Sequence, residues 1–322
     1  MIVVAGEALI DLVPGPRGGP AEDGLPALLP RRGGGPYNTA VALGRLGSTV
    51  GFCSRISRDA FGTSLLGGLY AAGVDATLVQ RGDEPTTLAV ADIGPDGSAG
   101  YGFYAGGTAD RLFTVPDALP PSVRALSFGT CSLVLEPGAT AYETLLRREA
   151  GRGVFTALDP NIRPGLIPDP AAYRARFRSW LPHVTLLKLS EEDARWLADA
   201  GPEHADGDGA VVESAVREWL AAGPAAVVLT RGADGLTVWT RDGSAVSVPG
   251  VRVPVVDTIG AGDTVNAALL HRLGVHDALS RPAVTTLDAD DWRDILAFAA
   301  RAAAFACARA GAQPPWAAEL EG

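Results

Sequence analysis

Lysine is nearly absent: Lys188 is the only one, and the other 26 of the 27 Lys and Arg residues in this 322-residue chain are arginine. Any anionic ligand must therefore be met by arginine, by metal, by backbone N–H groups or by that single ammonium. Cysteine is scarce as well. Cys53, Cys131 and Cys307 are odd in number and far apart, which excludes a disulfide framework and a zinc knuckle and points to a reducing compartment. Positive charge is in deficit, with a formal net charge of -10. That argues against nonspecific polyanion binding and against nucleic acid as a partner, although a local basic pocket could still receive a nucleotide. No apolar run stays free of polar residues for a bilayer's width, and no basic leader precedes Met1-Ile2-Val3-Val4-Ala5, so the expectation is a cytoplasmic protein without a membrane partner. Two nucleotide-binding signatures are missing too: Gly-x-x-x-x-Gly-Lys-Ser/Thr occurs nowhere, and the opening strand is not followed by Gly-x-Gly-x-x-Gly, which weakens a nicotinamide-dependent oxidoreductase reading.

What the chain does have is glycine turns that lead into helices. Asp257-Thr258-Ile259-Gly260-Ala261-Gly262-Asp263-Thr264 runs into a segment with Val265, Leu269 and Leu273 at helical spacing. Small residues at 260–262 let backbone N–H groups converge, so an anion can sit at the helix N-terminus. Asp263 stands in the first turn beside that positive pole, where it can take a proton from a hydroxyl as a phosphoryl group arrives. The same residues also fit a glycine turn with an acidic cap. A second such turn, Gly33-Gly34-Gly35-Pro36-Tyr37-Asn38, precedes a helix over 39–46, where Asn38 can donate to and accept from hydroxyls.

Between these turns the pattern alternates strand and helix, which predicts an α/β fold. Apolar residues at 2–6 and 8–13 read as a buried opening strand presenting Asp11, and 14–30 as a surface excursion or small cover. Strands follow at 50–54 and 74–79 around a helix at 60–72. The runs 86–93 and 100–104, joined by Gly94-Pro95-Asp96-Gly97, read as a hairpin apart from the main sheet, with Tyr101, Phe103 and Tyr104 either lining a ligand or forming an apolar face. The core rhythm resumes with strands at 125–128 and 154–158 around a helix at 138–150. Asp159-Pro160-Asn161-Ile162-Arg163-Pro164 then stands where open parallel sheets collect ligands. A strand at 185–189 carries Lys188 into Ser190-Glu191-Glu192-Asp193, acids that either cap the next helix or contact hydrated magnesium. Residues 201–209 read as a surface loop and 211–221 as a helix. Strands at 226–230 and 236–240 flank Arg231-Gly232-Ala233-Asp234-Gly235, an approach to a nucleotide phosphate or simply a hairpin turn. An extended run over 246–256 leads into the organising stretch, and an alanine-rich helix over 292–309 closes at Gly311.

In order and spacing these motifs resemble the ribokinase-like, PfkB-type carbohydrate kinases, most closely bacterial fructokinases and 2-keto-3-deoxygluconate kinases, over nearly the whole chain. The resemblance implies one ribokinase-like unit over 1–322. Its expected form is a doubly wound, mostly parallel sheet with helices on both faces and a small β lid at about 12–32 and 84–108. It implies ATP-dependent phosphorylation of a primary alcohol, with Asp263 as base and Gly260, Ala261 and Gly262 as anion hole. Asp11, Gly33, Gly34, Asn38, Tyr104 and Arg163 fall at sugar-side positions. Lys188, Ser190, Thr230, Gly232, Gly235 and Gly262 fall on the nucleotide side. Asp193 stands where the family commonly has a magnesium-associated Glu, and Ser190 replaces a more frequent Asn, so Mg2+ contact through water is the expectation. Asp257 marks a monovalent cation site, with K+ as the ion, and a homodimer through the lid is implied. Ala105 occupies a lid position where many members have arginine. Loss of that donor-bearing charge disfavours a sugar acid more than a neutral hexose, which places fructose first. A nonenzymatic sugar-binding regulator is the rival of a different class, and Asp263 beside its glycine turn argues against it.

Overall fold

The computed structural model describes residues 1–15, 27–93, 99–200 and 209–320. Its larger sheet is built from β1 (Ile2–Ala5), β4 (Val50–Ser57), β5 (Val79–Gly82), β8 (Ala125–Gly129), β9 (Phe155–Asp159), β10 (Leu186–Ser190), β11 (Ala226–Thr230), β12 (Leu236–Thr240) and β13 (Ala245–Val248). The order across the sheet is β13-β12-β11-β10-β9-β8-β1-β4-β5, parallel from β11 to β5 and antiparallel only at β12 and β13. Side chains alternate between its two faces with period two. Ile2, Val4, Phe155, Ala157, Ala226 and Val228 join one core, and Val3, Ala5, Leu158, Val227 and Leu229 the other. The first core is covered by α1 (Gly35–Arg45), α2 (Ala60–Ala71), α7 (Ala261–Val275) and α9 (Ala289–Cys307), and the short α8 (Arg281–Val284) adds Val284. The second is covered by α3 (Gly138–Gly151), α4 (Pro170–Trp180), α5 (Glu191–Leu197) and α6 (Gly209–Ala222). This is the expected doubly wound arrangement, in which right-handed crossovers bury both faces of a parallel sheet.

A second sheet has the order β3-β2-β6-β7, formed by β2 (Leu9–Pro14), β3 (Leu28–Gly33), β6 (Leu88–Ile93) and β7 (Ala99–Tyr104). The apolar run expected as one opening strand is thus two strands in two sheets. The chain turns between them at Gly6, whose φ of 154° suits glycine and where a Cβ would stand 2.8 Å from both Pro36 Cβ and Ser132 Oγ. The joint is held from several sides. Tyr142 donates its hydroxyl to Gly6 O at 3.2 Å, and buried Glu7 accepts from the Ser132 amide at 2.9 Å. Burial raises Glu7 to about 7.

Other boundaries moved. Only residues from Val79 onward pair as β5, since Asp75 meets Gly51 through a single bridge, and β13 stops at Val248, leaving Val255 and Val256 exposed. The cover segment contributes β3 as a strand, while its residues 16–26, the turn at 94–97 and the loop residues 201–208 lie outside the described set. Helix α4 was not anticipated. Asp169 caps it by accepting from the Ala172 amide, and Tyr173, Phe177 and Trp180 form its buried face.

Candidate active site

Strands β1, β8, β9 and β10 all end at one edge, so Gly6, Thr130, Asp159 and Ser190 meet there by topology. The first turn of α7 comes down on this edge. Gly260 adopts φ 75°, a left-handed cap that turns the chain into the helix, and Thr264 Oγ1 donates back to Gly260 O at 2.8 Å. The amide of Ala261 is directed to Thr258 O at 3.2 Å. Further along the turn, Gly262 and Asp263 have amides without acceptors on the helix's own ladder, the usual condition of an N-terminus able to hold an anion.

Asp263 is buried, and its Oδ2 accepts from Asn38 Nδ2 at 2.9 Å across 225 residues of sequence. Thr39 Oγ1 donates to the Asp263 carbonyl at 3.4 Å, tying α1 to α7. Burial raises the Asp263 carboxyl to about 7; Asp159 adds to this, and Asn38, Lys188 and Arg163 oppose it. A carboxyl poised there can exchange a proton near neutral pH. Gly35 faces the same group, since a Cβ on it would lie 3.2 Å from Asp263 Oδ1 and 3.4 Å from Asn161 Nδ2. Gly34, with φ 103°, caps α1 and passes so close to the strand joint that a Cβ would come 2.8 Å from Glu7 O.

Lys188, the only lysine, lies buried beneath the turn. Its Nζ donates to Asp159 Oδ2 at 2.8 Å and is 3.2 Å from where a Gly262 Cβ would be. Burial works against its charge, but the carboxylates of Asp159, Asp193 and Asp263 outweigh that and hold the ammonium protonated. Positive charge is therefore stored under the turn and not on its rim. The strand pairing also places Ser190 beside Thr230. Ser190 and Asp193 form a complete capping box, and both oxygens of Asp193 are engaged, by the Ile162 amide at 2.7 Å and the Ser190 amide at 3.0 Å. Gly232 and Gly235 turn the chain with φ of 53° and 96°, and a Cβ at Gly235 would stand 2.6 Å from Gly250 N. Asp257 accepts from the amides of Ile259 at 3.0 Å and Gly311 at 2.8 Å, joining the segment before α7 to the end of the chain.

On the side of the second sheet, Asp11 lies against Gly33, where a Cβ would stand 2.8 Å from Asp11 Cγ. Burial raises Asp11 to about 6, with Arg163 opposing. Exposed Arg163 donates to Asn161 Oδ1 at 2.7 Å and to Ile162 O at 3.0 Å. Tyr104 is 67% exposed and Ala105 only 7%, and the Ala105 carbonyl accepts from Thr108 Oγ1 at 3.1 Å and Arg111 Nη1 at 2.8 Å. A different guanidinium thus stands against the position that lacks one.

Two site residues were missed from sequence. Thr130, β-branched yet at φ 58°, contacts Gly35 and accepts from Asn161 Nδ2 at 3.4 Å, while Asn161 itself has φ 42°. Two non-glycine residues in the left-handed region at one sheet edge mark a site where strain is tolerated. Asn266, one helical turn past Asp263, donates to Ser127 Oγ at 3.1 Å. Its spacing from Asp263 was the available signal.

Residues 1–319 match the pfkB family carbohydrate kinases. The chain belongs to that family. It is similar to a fructokinase of Rhizobium leguminosarum bv. trifolii, 39% identical over 89% of this chain and 84% of the relative. It is also similar to a fructokinase of Escherichia coli, 32% identical over 96% of this chain and 94% of the relative. Among solved structures, the fructokinase of Xylella fastidiosa with bound ATP superposes with a TM-score of 0.85 at 27% identity, over 99% of this chain and 97% of that one. The kinase is thus an ATP-dependent sugar kinase of ribokinase-like fold. None of its described helices is long and apolar enough to cross a membrane.

Proposed function

We propose that the kinase phosphorylates D-fructose at its terminal primary hydroxyl, giving fructose 6-phosphate. The observation that carries the reading is Asp263, buried in the first turn of α7, oriented by Asn38 and set near neutral pH by its surroundings. In this reading Asp263 takes the hydroxyl proton while the glycine-lined turn at 260–262 receives the transferred phosphoryl group, with Lys188 supplying charge from below. Asp11, Gly33, Gly34, Asn38 and Arg163 serve the sugar. Ser190, Thr230, Gly232 and Gly235 face the nucleotide. Curated relatives named as fructokinases support fructose over a sugar acid.

Among the described residues no group of three or more His, Cys, Asp or Glu side chains could hold a metal. In this reading Mg2+ is carried by the triphosphate and water, as suits a cation that dehydrates reluctantly. Asp193 accepts from the Ile162 and Ser190 amides, and its part in this reading is to hold Ile162 and the start of α5 in place. Asp257 would hold K+ together with neighbouring backbone oxygens, supplying positive charge behind the turn. The second sheet is read as a lid that excludes water on closure, and its edge strands β3 and β7 as the surfaces through which two copies pair.

The deciding experiment is a coupled ADP assay with purified protein, ATP and Mg2+ over neutral sugars, sugar acids and nucleosides. The expected result is a higher kcat/KM for fructose than for 2-keto-3-deoxygluconate. Robust turnover of the acid with negligible fructose turnover reverses the substrate assignment.

A further inference from the structure

Behind Asp263 lies a small pocket with a polar wall of Ser127, Thr130, Asp159, Asp263 and Asn266 and room for about one water molecule. Asp159 Oδ2 accepts from Lys188, and its Oδ1, fully buried, meets no donor among the described residues. Asn266 spends its amide N–H on Ser127, and its buried Oδ1 meets none either. Asp159 and Asn266 are 4% and 3% exposed, so bulk solvent does not satisfy them. Two buried acceptors on facing elements, β9 and α7, require a donor, because a buried oxygen without one costs more than a typical hydrogen bond returns. A metal ion there would face the Lys188 ammonium across Asp159. Water has two hydrogens, no net charge and the right size.

We propose that one water molecule is built into this pocket, donating one hydrogen to Asp159 Oδ1 and the other to Asn266 Oδ1. Asn266 is thereby a positioning residue for the Asp159–Lys188 pair. The water stands on the geometry alone, whereas the positioning role rests on the kinase reading of the Asp263 site. The bridge stops the Asp159 carboxylate from rotating, and Asp159 in turn keeps Lys188 under Gly262. Because Asn266 is on the helix that carries Asp263, base, cradle and buried charge move as one body. The charged groups facing Asp159 and Asp263 are Lys188 from β10, Asp193 from α5 and Arg163 from the segment after β9.

The first test is a crystal structure of the wild-type protein at a resolution that orders internal waters. One density peak within hydrogen-bond distance of both oxygens is expected, and its absence overturns the proposal whatever sugar the enzyme prefers. The second is kinetic, on whichever sugar the wild type phosphorylates. Asn266→Leu keeps the volume and removes the acceptor. It is expected to lower kcat roughly tenfold with sugar KM nearly unchanged. It should also move the acid limb of the kcat profile upward, because a displaced Lys188 no longer opposes the proton on Asp263. Asn266→Ser supplies a hydroxyl acceptor with space for water and should recover most of the loss. A wild-type profile in Asn266→Leu, or equal losses in both variants, refutes the positioning role. If Asn266→Leu does not fold, Ser127→Ala, which frees the Asn266 amide, takes its place with the same readout.

Discussion

Replacing Asp263 with Asn should stabilise the kinase while disabling it. The carboxyl is buried, and its ordinary value of 3.8 rises to about 7 in the folded chain. The folded state therefore holds this proton more tightly than the unfolded chain does, and ionisation favours unfolding. The cost is absent below about pH 4, grows between pH 4 and 7, and is complete above that. Its ceiling is about 4 kcal/mol. The substituted carboxamide would carry no charge and would still accept from Asn38, so Asp263→Asn should gain a substantial part of that energy at pH 8 and almost none near pH 4. Turnover should fall by about 10² or more through loss of the base, with sugar affinity largely retained. Urea unfolding of both proteins between pH 4 and pH 8 measures the gap, and the coupled assay measures turnover. A gap that is absent at pH 8 or independent of pH refutes the burial argument, and near-wild-type turnover refutes the role as base.

Lys188→Met leaves Asp159 buried without its partner and should cost about 3–5 kcal/mol in denaturant unfolding; adding Asp159→Asn should return most of that stability but not turnover, and no recovery would mean that the pair is not the source. Asp193→Ala removes a capping box and should cost about 1–2 kcal/mol, with the Mg2+ dependence of the rate unchanged; a large rise in the Mg2+ requirement would return Asp193 to the metal. Closure of the second sheet over sugar predicts slower amide exchange in β6 and β7 with saturating fructose, and identical exchange with and without it argues against a lid.

The sequence by itself determined the elements and their kind. Continuous short apolar runs mark the strands that bury both faces, glycine turns mark the starts of α1 and α7, and Ser190 with Asp193 forms a capping box within four residues. Even the missed α4 carried local signals in Asp169, Pro170 and an apolar spacing at 173, 177 and 180. Local energies govern such features, so neighbouring residues suffice to read them. Tertiary structure decided the rest. Gly6 within an apolar run reads as one strand, and only contacts with Pro36, Ser132 and Tyr142 split it between two sheets. Asp193 reads as a cap from its own segment, and only the fold brings the Ile162 amide onto its second oxygen. Asp263 could be any acidic first-turn residue until Asn38, 225 positions away, donates to it. Lys188 gains its meaning from Asp159 on the adjacent strand and Gly262 above it. Proton affinity and stored charge depend on what the fold brings within a few ångströms and on how much water it removes, and neither quantity is a property of a residue's neighbours in sequence.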